Sequence, residues 1–207
     1  SEQANLIFDI GNKQGESGEV KDAEVQYFDD GRVEGYVVIS PVYVNIYQKG
    51  ADVRMYFSAV LDKKPVEVGT FVKNEVTPGK CREKGPGIGL YMTFSTEEQE
   101  AVEVKVGLSY TSIENARFNR EAEAADITFE QAKRNATKVW NESLGRICVE
   151  GGEEADKVKF YTGLFHALLG RGLASDANGY YPKNDGTVGR IALDTKGKPM
   201  HQHYNTD

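Results

Sequence analysis

Gly107-Leu-Ser-Tyr-Thr-Ser-Ile-Glu-Asn-Ala-Arg-Phe-Asn-Arg-Glu-Ala-Glu123 is the stretch on which the reading of this chain turns. An alternating run (Val102, Val104, Val106 and Leu108) leads into it, which predicts a strand over 101–110 with one apolar face. A helix follows, and after it a second helix of different character. The stretch therefore joins a β half to an α half.

Upstream, from about 6 to 110, the chain reads as short strands with turns between them. Val42, Val44 and Ile46 alternate, as in a half-buried antiparallel strand over 42–47. Asp30-Gly31, between strands over 25–28 and 32–39, is a two-residue hairpin signal, since both central positions need positive φ. Further strands are expected at 53–61, 66–73 and 90–94. Strands at this spacing predict an antiparallel β-sandwich. Residues 74–89, which include Gly85-Pro86-Gly87, read as a long surface loop. No helix follows to supply the amides of a phosphate cradle, so Gly87-Ile-Gly89 is a turn element.

Downstream, Thr128-Phe-Glu-Gln131 has capping-box form. Phe129, Ala132, Ala136, Val139 and Trp140 then form one stripe, predicting an amphipathic helix over 128–144 that Gly145 ends. Ile147-Cys-Val149 is a strand or extended link. A further helix begins near Glu153, with Glu153, Glu154 and Asp156 at the positive end of its dipole. Val158, Tyr161, Phe165, Leu168 and Leu169 line its expected buried side, and Gly170 and Gly172 stop it.

The net charge of −7 is unfavourable for nucleic acid, because an acidic chain repels phosphates. No run approaches the ~20 apolar residues of a membrane span. The chain opens on Ser1 with no basic-then-apolar leader. Cys81 lies in a loop and Cys148 in an apolar run; neither has a partner at metal-ligand spacing, and a bridge between them has no support in the sequence. His166 reads as a hydrogen-bonded packing residue beside an apolar stripe, and His201-Gln-His203 as a polar strand end rather than a metal site. Asp176-Ala-Asn178-Gly179 mimics the start of a calcium loop, but no glutamate follows in register, so it reads as an Asn-Gly turn. Asp9-Ile-Gly-Asn12 reads the same way, and the sequons at Asn135 and Asn141 fall inside a helix. There is no Gly-x-Ser-x-Gly, no His-Glu-x-x-His, no cysteine with a base, and no carboxylate pair singled out by an apolar setting.

Three blocks carry a family resemblance. The first is Gly107–Glu123. The second is Trp140-Asn-Glu-Ser-Leu-Gly-Arg-Ile147 with Val149-Glu-Gly-Gly152. The third is Phe160-Tyr-Thr-Gly-Leu-Phe-His-Ala-Leu-Leu169 with Ser175-Asp-Ala-Asn-Gly-Tyr180. In wording, order and spacing they resemble glycoside hydrolase family 92, exo-acting α-mannosidases of mainly bacterial origin. The resemblance implies a β-rich mixed α and β protein: an antiparallel β-sandwich over 1–110, a helical linker over 111–150, and the first helices of an incomplete (α/α)6-type barrel over 151–207. It also implies a periplasmic or secreted parent enzyme, an exo-α-1,2-mannosidase assisted by calcium and acting with inversion on mannose-containing glycans. The family's catalytic carboxylates and calcium ligands lie downstream of the third block, so this chain has no catalytic and no metal residue to assign. A sugar-contacting Trp-Asp motif is expected just past Asp207, which makes His203 and Asp207 the nearest substrate-proximal candidates. The apolar stripe of the last helix would be covered by the remainder of the polypeptide or by a second copy.

A rival of another class is a non-catalytic carbohydrate-binding sandwich with a helical tail, for which Tyr27, Tyr36, Tyr43 and Tyr47 are candidate sugar-facing aromatics. A third is an assembly module associating through the last helix.

Overall fold

The computed structural model describes residues 2–15, 18–169 and 173–201. Alternating apolar residues build two antiparallel sheets. Their strands are β1 (Gln3–Asp9), β2 (Glu19–Tyr27), β3 (Arg32–Ser40), β4 (Val53–Leu61), β5 (Glu67–Val72), β6 (Glu75–Pro78), β7 (Arg82–Lys84), β8 (Ile88–Ser95) and β9 (Val104–Ser109). One sheet runs β1-β8-β5-β6 and the other β7-β2-β3-β4-β9. Between them lie Ala23, Val25, Val33, Phe57, Ala59, Ile88, Leu90, Met92 and Phe94. The sandwich expected from the strand pattern is present.

Four local expectations change. Residues Val42–Tyr47 form a short helix, α1, not a strand. Its Asn45 is the reason: the side-chain amide donates to Pro41 O (2.9 Å) and Ala51 O (3.2 Å), and its Oδ1 accepts from Gly50 N (2.8 Å). These bonds close the segment on itself, and alternation alone does not reveal them. At the β2–β3 hairpin only Gly31 has positive φ (87°). Phe28 N–H donates to Arg32 O and Gly31 N–H to Phe28 O, so the connection is longer than a two-residue turn. The expected loop over 74–89 contains β6, which pairs with β5, and β7, which pairs with β2. It supplies one edge strand to each sheet.

The fourth change concerns β9. Val106 and Leu108 are 48% and 51% exposed, while Gly107 and Ser109 are buried. The small residues face α2 (Ile113–Ala124), which packs across β9 and β4. A Cβ at Gly107 would lie 2.1 Å from Ala116 O and 2.6 Å from Arg120 Cβ. Only glycine lets the helix backbone come this close.

The chain divides into two units. Ser1–Ala125 joins Ala174–Met200, which carries the hairpin of β10 (Tyr180–Pro182) and β11 (Val188–Arg190). Asp126–Leu173 lies in the other unit and holds α3 (Phe129–Leu144) and α4 (Glu154–Leu169). The predicted capping box forms: Thr128 Oγ1 accepts from Gln131 N at 3.3 Å, and Gln131 Oε1 accepts from Thr128 N at 2.8 Å. Gly145 caps the helix, and 147–149 form no strand; Ile147 N–H donates to Leu144 O in the turn that follows the helix. The rings of Trp140 and Phe165 meet at 4.5 Å, and Tyr161 donates to Ile147 O at 3.0 Å. Phe129, Val139, Val158, Leu168 and Leu169, expected to be buried, are exposed. A pair of helices has no third surface to cover both stripes. Gly170 and Gly172 lie outside the described residues. No helix among the described residues is long and apolar enough to cross a membrane.

Gly107→Ala is expected to destabilise the chain by about 2 kcal/mol, within the usual range for overpacking. Gly163→Ala, where a Cβ meets nothing within 4 Å, should instead be neutral or stabilising. Urea denaturation midpoints of the two variants check this contrast.

Candidate functional site

The richest buried chemistry lies on both sides of α2, within the sandwich unit. Glu34 sits on the outward face of β3, opposite Ser58 of β4, and is 4% exposed under the helix. Its Oε1 accepts from Ser58 Oγ (2.9 Å), Arg117 Nε (3.0 Å) and Arg32 Nη1 (3.0 Å), and its Oε2 accepts from Arg117 Nη2 (2.9 Å). Burial pushes this carboxyl upward. Hydrogen bonds from Arg117 and Ser58, with the charges of Arg117 and Arg32, outweigh that and hold it below its ordinary value.

On the other side, the turn before β10 closes onto α2. Gly179 N–H donates to Asp176 O at 2.7 Å, so the expected Asn-Gly turn is present. Asp176 itself is 3% exposed and not merely a turn residue. Its carboxylate accepts from Thr111 Oγ1 and from Asn119 Nδ2, the latter at 2.7 Å. Asn119 Oδ1 accepts from Ala177 N (2.8 Å), and Asn119 Nδ2 also donates to Leu108 O (2.7 Å). Asn178 Nδ2 donates to Asn115 Oδ1 (2.8 Å), and Asn115 Nδ2 donates to Thr111 Oγ1 (2.7 Å). Asn115 and Asn119, one helical turn apart, thus clasp the loop from 176 to 178. The first and third sequence blocks meet here.

Glu34 is buried and held by two arginines and a serine, and Asp176 is buried with a donor on each oxygen, so neither is placed to shuttle a proton to a ligand. Calcium takes about six to eight oxygen ligands, and no group of three or more His, Cys, Asp or Glu able to hold a metal occurs among the described residues. The side-chain oxygens of the clasp are engaged by N–H and O–H donors, so the residues present do not fit a calcium site.

Of the sequence-derived candidates, His203 and Asp207 lie outside the described residues. His166 is exposed against the edge of the Phe165 ring (5.8 Å), not packed inside a core, and His201 is exposed. Cys81 and Cys148 are free and exposed. Motif reading does not find the clasp; the available signal is Thr111, Asn115 and Asn119 at spacings of four, a polar stripe where α2 should bury itself.

The family model described as the glycosyl hydrolase family 92 N-terminal domain matches residues 1–109. The chain belongs to glycoside hydrolase family 92. The model of the family 92 catalytic domain matches residues 115–207. A family 92 α-mannosidase from Bacteroides thetaiotaomicron superimposes with a TM-score of 0.82 at 19% identity, covering 98% of this chain and 26% of that one. A family 92 glycosyl hydrolase called ccman5 gives 0.76 at 22% identity, covering 97% and 25%. A family 92 inverting mannosidase, again from Bacteroides thetaiotaomicron, gives 0.74 at 20%, covering 91% and 25%. The chain therefore spans about a quarter of the solved structures it resembles, and at these identities they show its fold. No curated protein matches it. The family 92 fold of β sheets followed by helices, expected from the sequence, is the one found.

Stability should be independent of pH between about 7 and 5 as far as Glu34 is concerned, then fall. A carboxyl whose folded pKa is depressed contributes stability above its unfolded value of about 4.3, lost as pH falls through the folded value. Glu34→Gln should flatten that acid limb in denaturation curves taken across pH 3–7. An unchanged limb would place the proton uptake elsewhere.

Proposed function

We propose that this chain is the sandwich, linker and first barrel helices of an exo-α-1,2-mannosidase. The observation that carries the reading is the tandem match of the two family 92 models along one chain, at 1–109 and then 115–207. One similar structure is an α-mannosidase in complex with mannoimidazole, and another is an inverting mannosidase, which favours a mannose-containing glycan as substrate.

Inversion at the anomeric carbon requires a carboxylic acid to protonate the leaving oxygen and a carboxylate to activate water, roughly 6.5–9.5 Å apart. In this reading neither Glu34 nor Asp176 takes part, because both are buried and engaged by neighbouring donors of the fold. The catalytic pair and the calcium ligands belong to polypeptide other than this chain. Calcium, when bound there, supplies electrostatic polarisation. This chain contributes positioning: α2 and its clasp hold the hairpin of β10 and β11, and His203 and Asp207 are its substrate-proximal candidates. The partition is sandwich to 110, linker to 150, and barrel start beyond. The parent is secreted or periplasmic, and the exposed apolar stripes of α3 and α4 are covered by its remaining helices.

The test is proton NMR of the full-length parent with calcium and α-1,2-mannobiose. Release of mannose first as the β-anomer is expected, with no turnover by the 207-residue chain alone. No mannose release by the parent, or initial α-anomer, would contradict the reading.

A further inference from the structure

Sheet register places a row of unlike side chains across the outward face of the five-stranded sheet. Lys84 of β7 stands opposite Glu24 of β2, Glu24 opposite Tyr36 of β3, Tyr36 opposite Tyr56 of β4, and Tyr56 opposite Ser109 of β9. With neighbouring strands about 4.8 Å apart, the row is roughly 19 Å long. The adjacent row, Gln26, Glu34, Ser58 and Gly107, pairs in the same way. Its Glu34 is held by Arg117, and its Gly107 lies against Ala116 and Arg120, so α2 occupies that row and flanks the first.

The aromatic pair at the centre is held in place. The Tyr36 and Tyr56 rings lie 6.1 Å apart, tilted by 55°. Tyr36 donates to Asp22 Oδ2 at 2.8 Å, and the Arg54 guanidinium stands 5.4 Å from the centre of the Tyr36 ring. The nearby Tyr36 hydroxyl, with the charges of Asp22 and Glu24, raises the pKa of Lys84. Glu24 accepts from Arg82 Nε at 2.8 Å.

We propose that this row is a binding platform for a short neutral oligosaccharide. The chemistry selects that ligand. Paired tyrosines present apolar surface with few rotatable bonds, suited to the C–H face of a sugar ring. Around them carboxylates and guanidinium groups stand in fixed orientation, planar groups that can accept from or donate to neighbouring hydroxyls. Two carboxylates, Asp22 and Glu24, are set against Arg54, Arg82 and Lys84, so the local charge is nearly balanced; a polyanion meets carboxylates here and a net charge of −7 overall. Of the four tyrosines expected to form a sugar face, only Tyr36 lies in the row. Tyr27 packs against the core, Tyr47 is on α1, and the Tyr43 side chain is outside the described set.

The choice of mannose as the sugar rests on the mannosidase reading; the platform does not. The experiment is an amide ¹H–¹⁵N titration of the 207-residue chain with α-1,2-mannobiose and, separately, maltose. Shifts centred on Asp22, Glu24, Tyr36, Arg54 and Tyr56 are expected, with affinity falling roughly tenfold in Tyr56→Ala. Arg54→Gln, at an exposed position, should weaken binding while leaving the rest of the spectrum unchanged. A response to maltose as strong as to mannobiose supports the platform and removes the preference for mannose. No shift with either sugar, shifts elsewhere, or affinity unchanged in both variants overturns it. None of these outcomes bears on turnover by the parent, which decides the mannosidase reading.

Discussion

The approach of α2 to β9 at Gly107 is the constraint on which the rest of the sandwich unit depends. A helix normally keeps its distance from a neighbouring element because side chains stand between them. Here the strand offers no side chain at Gly107, and the helix offers Ala116 and the Cβ of Arg120. That proximity brings Arg117 onto Glu34 and turns Asn115 and Asn119 toward the loop from 176 to 178. It also commits the small-residue face of β9 to the helix, leaving Val106 and Leu108 half exposed on the other.

Polar groups lock what steric fit allows. A buried carboxylate such as Glu34 would be strongly unfavourable alone, and its pairing with two arginines and a serine makes the arrangement specific. Asp176 is satisfied by neutral donors instead, so the clasp carries direction rather than strong charge pairing. Both sets position elements of the fold.

What is legible in the sequence is local. The capping box at Thr128 and Gln131, the cap at Gly145 and the acidic first turn of α4 each rest on neighbours within a few residues. Alternation and turn signals find β3, β4, β5 and β8, but only the end of β2, and they name no strand at β1. Alternation fails at Val42–Tyr47, where side-chain bonds from Asn45 override a strand-like pattern, and at β6 and β7, which are too short and polar to show a period. At β9 alternation locates the strand, and Val102 and Val104 pack against the core, but Val106 and Leu108 are exposed while Gly107 is buried, because what covers it is a helix backbone. The clasp is illegible for a different reason: Asp176 bonds Asn119 and Thr111 across separations of 57 and 65 residues. An isolated Asp-Ala-Asn-Gly looks like any turn.

Native-state hydrogen exchange tests the central claim most directly, that α2 is part of the sandwich and not the start of the helical unit. The account predicts that amides from Ala116 to Arg120 exchange only with the core amides of β4, through unfolding of the whole sandwich, while those in the middle of α3 and α4 exchange faster. Exchange of the α2 amides at the α3 and α4 rate, with β4 still protected, would contradict it.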